Sequence, residues 1–362
     1  MSKTYNFAIV GLGNMGNWHR DLLCNTGDWH QSTVNTKFEN IRLKGSFDIN
    51  PERRQFAAEK GLLAYDSFEA VLADPEIDVI VCATPNDSHK DIVIRTLRAG
   101  KCAVTEKPAT LCSADLAEMT AAAKETGKLF TVHHNRRWDE DFLTVKRLCE
   151  TGDLGGVYHI ESRIHVPGGV GLPDKWRGLP EKGGGQILDW GVHLFDQLLL
   201  MVHGKLRRVF ATCTHITNEL VEDGFTAHFE FESGMTALVE VGSTNFIPLP
   251  RFHVLGLEGS ATIPLWKREG TVTRISGWDG TGAIPVRGSA GRTIAPRAKP
   301  ELIKTEPLVF ESSDVRDFYR NVVAAIEGRE APFVKLPEVA RVLRLIETVK
   351  ESARAKRVIE FE

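Results

Sequence analysis

The chain has 362 residues, 42% of them apolar and 26% charged, and its 45 Lys+Arg against 48 Asp+Glu leave a net charge of −3. That length fits two domains. The composition excludes a disordered chain, a collagen or a heptad rod, and the charge balance excludes a strongly basic nucleic-acid surface. No apolar run nears the roughly 20 residues of a membrane-spanning helix. Met1–Asn6 runs straight into a strand pattern, without the basic and apolar regions of a signal peptide. The six cysteines (24, 82, 102, 112, 149, 213) show no CxxC pairing. They read as a reducing, cytoplasmic setting without disulfides.

In chain order, residues 7–130 alternate strand and helix patterns. Phe7–Gly11 is an apolar strand ending in glycines, Asn17–Thr26 a helix, Ile41–Asp48 a second strand, and Pro51–Lys60 a helix with proline in its first turn. Phe68–Leu72 reads as a short amphipathic helix, Val79–Ala83 as a buried strand, and His89–Ala99 as a helix stopped by Gly100. Ala103–Thr105, Ser113–Thr126 and Leu129–His133 give strand, helix and strand. This alternation implies βαβ units and a doubly wound parallel sheet, expected over residues 1–133.

Beyond about residue 150 the pattern changes. Val157–Val166, Arg208–Ile216, Phe225–Glu232, Met235–Ser243 and Phe252–Leu257 read as successive strands. Several alternate strictly, as in Ala227-His228-Phe229-Glu230-Phe231-Glu232. One long helix, from about Gln186 to Val202, interrupts them. The expected second domain, 134–362, is an α/β unit with a large, mostly antiparallel sheet covered on one face. Its open face would be a large apolar surface if left bare, and such a surface marks an interface. A homodimer or homotetramer through that sheet is therefore expected. Residues 267–307, rich in Gly, Pro, Arg and Thr, show no period. Ser313–Glu327 and Pro337–Lys356 are closing helices, free to pack back on the first domain.

Gly11-Leu12-Gly13-Asn14-Met15-Gly16 follows the first strand and opens the first helix, the setting a G-x-G-x-x-G dinucleotide loop requires. Gly11 allows the tight turn, Gly13 the approach of a pyrophosphate, and Gly16 close helix–strand packing. The helix start offers free N–H donors to phosphate. Asp48, at the end of the second strand, suits the ribose hydroxyls of NAD and repels a 2′-phosphate. It lies 32 residues beyond Gly16, further than usual, because Trp29–Asn40 looks like an insertion. Arg53 and Arg54 follow it and leave NADP open.

Ala83-Thr84-Pro85-Asn86-Asp87-Ser88-His89, Ala99-Gly100-Lys101 and Thr105-Glu106-Lys107-Pro108 are followed by Gly183-Gly184-Gly185-Gln186-Ile187-Leu188-Asp189-Trp190-Gly191-Val192-His193-Leu194-Phe195-Asp196. In this order the segments resemble the Gfo/Idh/MocA family, the relatives of glucose–fructose oxidoreductase and inositol dehydrogenase, over essentially the whole chain. His134-Asn135-Arg136-Arg137-Trp138-Asp139 is similar to a segment of a branch that includes scyllo-inositol dehydrogenases. The resemblance implies a Rossmann domain, a second domain with an open-faced sheet, a nicotinamide cofactor (NAD, or NADP), and oxidation or reduction of a sugar or polyol carbon. It puts Lys107, Asp189 and His193 at the family's catalytic positions. It puts Gly11, Gly13, Asn14, Met15, Gly16, Asp48, Thr84, Pro85, Asn86, His89, Glu106, Lys107, Pro108 and Arg136 at cofactor contacts. It also implies a cis Lys107–Pro108 bond. The insertion before Asp48 and the stretch 267–307 depart from the family pattern.

The residue types fit that chemistry. Oxidising an alcohol needs its proton removed while hydride leaves for the nicotinamide, and His is the common base near neutral pH. Asp189 and His193 are four apart in one expected helix, so they share a face, and the carboxylate can orient the imidazole or bind a substrate hydroxyl. Lys107 follows a strand end, where open α/β sheets bind ligands, and its ammonium can stabilise a developing alkoxide. Asp196 reads as a supporting group.

On the substrate side, Asn135 and Trp138 follow the sixth strand with His134 and Arg136. Arg163 and His165 share one face of their strand. Trp176 offers a face to a sugar ring and Arg177 a guanidinium to an anion. No metal-ligand spacing is present, so no metal is expected. The expected partner is a small carbohydrate or polyol, with no nucleic acid and no membrane. Two alternatives stay open: a glycoside hydrolase that oxidises sugar carbon 3 transiently with bound NAD, and a non-enzymatic dinucleotide sensor. An intact Lys107, Asp189 and His193 set argues against the sensor.

Overall fold

The computed structural model describes residues 3–26, 37–166, 175–277, 283–288, 291–296 and 298–361. Most of the expected insertion lies outside the described residues.

The first domain runs β1 (Tyr5–Val10), α1 (Asn14–Cys24), β2 (Ile41–Phe47), α2 (Pro51–Glu59), β3 (Leu63–Ala64), α3 (Phe68–Ala73), β4 (Val79–Cys82), α4 (His89–Arg98), β5 (Cys102–Glu106), α5 (Ser113–Thr126) and β6 (Phe130–His133). Local chemistry sets the helix starts. The Asn50 side chain accepts from Glu52 N ahead of Pro51, and Ser67 accepts from Ala70 N. The strands pair in parallel in the order β3-β2-β1-β4-β5-β6. β4 is Val-Ile-Val-Cys and buried throughout, as a central parallel strand must be. The order reverses between β1 and β4, so the ligand crevice opens at their carboxyl ends.

The second part runs α6 (Glu140–Thr151), β7 (Val157–His165), α7 (Val192–Met201), β8 (Leu206–Thr214), β9 (Gly224–Phe231), β10 (Thr236–Gly242), β11 (Phe252–Gly256), β12 (Gly259–Ile263), β13 (Thr271–Ile275), β14 (Ala283–Gly288), β15 (Gly291–Pro296), β16 (Ile303–Pro307), α8 (Asp317–Ile326), α9 (Leu336–Ala355) and β17 (Ile359–Glu360). Nine strands form a sheet in the order β16-β13-β12-β11-β7-β10-β9-β8-β17. Only β7 and β10 pair in parallel within it. The patternless stretch 267–307 thus contains β13, β16 and a β14–β15 hairpin.

Alternation places Phe225, Ala227, Phe229 and Phe231 of β9 in the core, with Phe195 of α7 against Phe225 and Phe229. By register, His159, Glu161 and Arg163 of β7 share the other face with Thr236, Leu238 and Glu240 of β10. The strand centres of that open face are therefore rich in His, Glu, Arg and Thr, with Leu238 and Phe210 among them, while Ile216, Phe246 and Ile247 stand exposed at its margin. The expectation of an apolar surface over the whole face is corrected to apolar groups at its margin. The outward residues of strictly alternating strands are the polar ones.

The closing helices pack on both parts. Tyr319 Oη lies 2.5 Å from His19 Nδ1, Thr131 Oγ1 donates to Val334 O, and Ser113 donates through N and Oγ to the Glu347 carboxylate. One hydrophobic core runs from β1 through α7 to α9.

Candidate active site

The glycine loop is built by close approach. Gly11 has φ +91° beneath the Ala83 carbonyl, and a Cβ on Gly16 would sit 1.9 Å from Gly11 O. α1 starts at Asn14, earlier than the expected Asn17, and its N-cap Gly13 provides no side-chain cap. The first-turn N–H groups at Asn14 and Met15 are left for a ligand. Asp48 ties this loop to β2: Oδ2 accepts from Leu12 N at 2.7 Å and Oδ1 from Asn50 N at 2.8 Å. Arg53 Nη1 reaches Asp48 Oδ2 at 3.3 Å and lies 3.6 Å from where a Gly13 Cβ would stand. The groove thus fits a dinucleotide: an uncapped helix start, side-chain-free glycines, and a carboxylate with a half-exposed guanidinium at the ribose end.

Across the crevice, Thr84, Pro85 and Asn86 form a tight turn. Thr84 Oγ1 meets Ser88 Oγ at 2.7 Å, and Asn86 Nδ2 donates to Gly183 O, tying the turn to the triple-glycine segment. Two expected cofactor contacts are corrected. His89 is fully enclosed, with ring nitrogens 2.9 Å from Pro108 O and 3.0 Å from Thr84 O, so it holds two site loops together. Glu106 turns away from the crevice. Its Oε1 lies 2.8 Å from both His19 Nε2 and His133 Nδ1, and its Oε2 accepts from Lys107 N. Burial would raise the Glu106 carboxyl, but the two histidines hold it well below its usual range. Among the described residues, His19, Glu106 and His133 are the grouping close enough to hold a metal. Their facing atoms are engaged with one another.

Lys107 follows β5 directly and is joined to Pro108 by a cis bond. Its Nζ donates to the Asp189 main-chain oxygen at 2.8 Å and to Asp189 Oδ1 at 3.0 Å. Arg177 Nε lies 3.5 Å from Asp189 Oδ2. Burial would raise the Asp189 carboxyl, but Lys107 and Arg177 outweigh it and keep it ionised. His193 is buried, and its Nδ1 has no hydrogen-bond partner among the described residues. Burial, then the nearby charges of Lys107 and Arg136, hold its pKa well below the usual imidazole value. Asp189 is therefore engaged by Lys107 rather than by the imidazole. A charged ammonium holds a carboxylate more strongly than a neutral ring does. The expected single helix is also modified: residues 187–191 wind as a π-turn before α7, a feature common at functional sites. Glu222 accepts from Ile187 N through Oε1 and from Gln186 N through its main-chain oxygen, fixing the start of that turn.

A cavity of about 260 Å³ opens beside Asp189, walled by Ile164, Arg177, Gln186, Trp190, Val241 and Ser243. Trp190 lies 5.9 Å from the His193 ring, and Arg136 sits 4.5 Å over Trp190 and 4.8 Å over Trp266. Arg136 also pairs with Asp139 at 2.9 Å; burial pushes that carboxyl up to about 6. Arg177 stacks on Trp176 at 4.2 Å. Asn135 is half-buried at the start of the Asn135–Trp138 turn, with Oδ1 unpartnered among the described residues. Three expected substrate contacts lie elsewhere. Trp138 packs against Phe318 and Phe333. Arg163 and His165 occupy the open sheet face, where both meet Glu240, because the face of β7 that meets α7 carries Ser162 and Ile164. A larger cavity of about 500 Å³ lies on that open face, away from Lys107 and His193. Sequence reasoning did not single out Gln186, Trp190, Trp266, Glu222, His19 or Tyr319. Two of these stood within the quoted triple-glycine motif.

The described cysteines are free, and no helix among the described residues is long and apolar enough to cross a membrane. The six-stranded parallel sheet and its glycine loop are those of an NAD(P)-binding oxidoreductase. The family model for an oxidoreductase family with an NAD-binding Rossmann fold matches residues 5–134, and that for the GFO/IDH/MocA C-terminal domain matches residues 142–262. The chain belongs to the Gfo/Idh/MocA family. It is similar to the scyllo-inositol 2-dehydrogenase (NADP(+)) IolW of Bacillus subtilis (strain 168), 28% identical over 307 residues that span 81% of this chain and 82% of the relative. It is also similar to the 1,5-anhydro-D-fructose reductase of Ensifer adhaerens, 30% identical over 268 residues, 71% of this chain and 76% of that one. An NAD-binding protein from Listeria innocua superposes with a TM-score of 0.92 at 40% identity, covering 99% of this chain and all of that one.

Proposed function

We propose that this protein is an NAD(P)-dependent dehydrogenase or reductase of a cyclic polyol, sugar or sugar derivative. The observation that carries the reading is the junction of Lys107, Asp189 and His193 beside a small cavity at the mouth of the dinucleotide crevice. Relatives named for scyllo-inositol and 1,5-anhydro-D-fructose support the substrate class. When bound, the cofactor supplies or accepts the hydride.

The chain's own residues manage the proton and the charge. Lys107 Nζ, held by Asp189, faces the reacting oxygen and stabilises alkoxide character as it develops. Asp189 fixes the direction of that ammonium. His193 exchanges the proton; its Nδ1 is enclosed, so Nε2 is the nitrogen left to reach substrate. The cavity walls and Trp190 exclude water from the substrate ring. Asp48 favours NAD, while Arg53 beside it keeps NADP within reach. The reading includes a homodimer or homotetramer through the open face of the second sheet, supported by the exposed Ile216, Phe246 and Ile247 at its margin. A monomer by light scattering across micromolar concentrations would remove that part.

The test mixes the protein with NAD or NADP and a panel of inositols, free sugars and nitrophenyl glycosides, following reduced cofactor and nitrophenolate together. Reduced cofactor formed in proportion to a polyol or sugar consumed is the expected result. Nitrophenolate release without net reduction would replace this reading with a redox-neutral glycosidase.

A further inference from the structure

We propose that the cavity beside Asp189 takes a carboxylated ring, a sugar acid or cyclic polyol acid, with the Arg177 guanidinium as its anion-binding group. The inference rests on the dehydrogenase reading and narrows its substrate.

The first argument is charge. Arg177 lines the cavity, and its side chain is 46% exposed. Its one ionic contact among the described residues is Nε to Asp189 Oδ2 at 3.5 Å, and neither Nη atom has a partner there. The same Asp189 already serves Lys107. One carboxylate thus faces two cations, and His193 adds no charge of its own. The neighbouring arginines are matched. Arg136 has Asp139, Arg137 has Asp196 and Glu338, and Arg251 has Asp141. Glu222, whose carboxylate stands behind the Gly185 wall, is answered by Lys350, so the unmatched positive charge of this region stands in the cavity wall. A guanidinium with a free edge is the group best suited to a bidentate carboxylate.

The second argument is preorganisation. Trp176 stacks under Arg177 at 4.2 Å, so less side-chain freedom is lost when an anion binds. The cofactor's phosphates belong at the start of α1, after β1, whereas Lys107 and its partners lie after β5, two strands further along the sheet. Arg177 is not needed there.

The third argument concerns the rest of the ring. Ser243 Oγ donates to Asp223 O at 2.5 Å, so it accepts from Gln186 Nε2 at 3.1 Å. That chain fixes the amide and leaves Gln186 Oε1 as a buried acceptor without a partner among the described residues. A substrate hydroxyl supplies the missing donor. Trp190 adds apolar surface to the cavity wall.

The experiment measures binding to the NADH-loaded enzyme by calorimetry, where an alcohol ligand has no hydride to exchange. The ligands are methyl glucuronoside, methyl galacturonoside and quinate, each beside its own neutral amide. At least one acid should bind ten or more times tighter than its amide. That ratio should fall towards one in Arg177→Ala and be reduced in Arg177→Lys. The proposal is overturned if no acid outbinds its amide, if none binds, or if the ratio survives in Arg177→Ala. Efficient turnover of neutral polyols without acid preference would overturn it while leaving the dehydrogenase reading in place. Tight, Arg177-dependent acid binding, with no reduced cofactor formed when the same acids are given NAD or NADP, would uphold it and refute that reading.

Discussion

Lys107 Nζ touches Asp189 twice, at the main-chain oxygen (2.8 Å) and at the carboxylate (3.0 Å), across 82 residues of sequence. The ammonium is thereby fixed by backbone as well as by side chain. Its position depends on the π-turn that carries Asp189. Replacing Lys107 with Ala should cut turnover by about 10²–10³, the usual scale for a group that meets developing charge. NAD(H) affinity should stay nearly intact. Cofactor titration and steady-state rates check both halves, and wild-type-like turnover would take Lys107 out of the chemistry.

Glu222 should matter although it lies outside the cavity. Without its carboxylate, Ile187 N loses its acceptor, a cost of about 1–3 kcal/mol for a buried donor. Glu222→Ala should lower the melting temperature by a few degrees and kcat by about tenfold, with NADH affinity unchanged. Glu222→Gln, which keeps an acceptor, should restore most of both. Equal loss in the two variants would show that charge, not the hydrogen bond, is at work.

Asp48 accepts from Leu12 N and Asn50 N and stands where the adenosine ribose of a dinucleotide falls. Asp48→Ala should weaken NAD by about tenfold or more and NADP by less, because Arg53 is then released for a 2′-phosphate. Paired dissociation constants measure this. An unchanged NAD/NADP ratio would mean that the carboxylate serves only the loop.

His134 is buried beside Asp196 and Arg137, and burial lowers its pKa to about 4 from 6.5. The unfolded chain therefore binds a proton that the folded chain refuses between those values. The stabilisation is complete above about 6.5 and is lost as pH falls towards 4. At about 1.4 kcal/mol per pKa unit, this amounts to about 3 kcal/mol. Urea unfolding of wild type and His134→Gln at pH 7, 5.5 and 4.5 isolates it. The difference between the two should shrink as the pH drops, and a constant difference would contradict the assignment.

Much of the first domain was legible because its signals are local. Apolar runs of strand length, helix stops and the Gly11–Gly16 loop need no distant partner. Lys107, Asp189 and His193 were legible as identities. Their pairing was not, since the cation that captures Asp189 arrives from β5. Alternation along β7 showed that Arg163 and His165 share a face, yet not which face meets α7. Glu106 read as a cofactor contact because the histidines that claim it sit on α1 and β6. The π-turn leaves little mark on the apolar pattern. β13 and β16 were hidden because both lie at the sheet's margin and are largely uncovered, so neither carries a clean apolar period.

The contact of Tyr319 with His19 has a consequence for synthesis. Phe318 and Tyr319 also pack their rings against His133, and Tyr319 meets Phe7. These residues leave the ribosome long after β6 and α1. Domains generally fold from the N-terminus as they emerge, but here the nascent dinucleotide unit must wait with that flank uncovered until α8 arrives. The interval before then is when proteases and chaperones would find it.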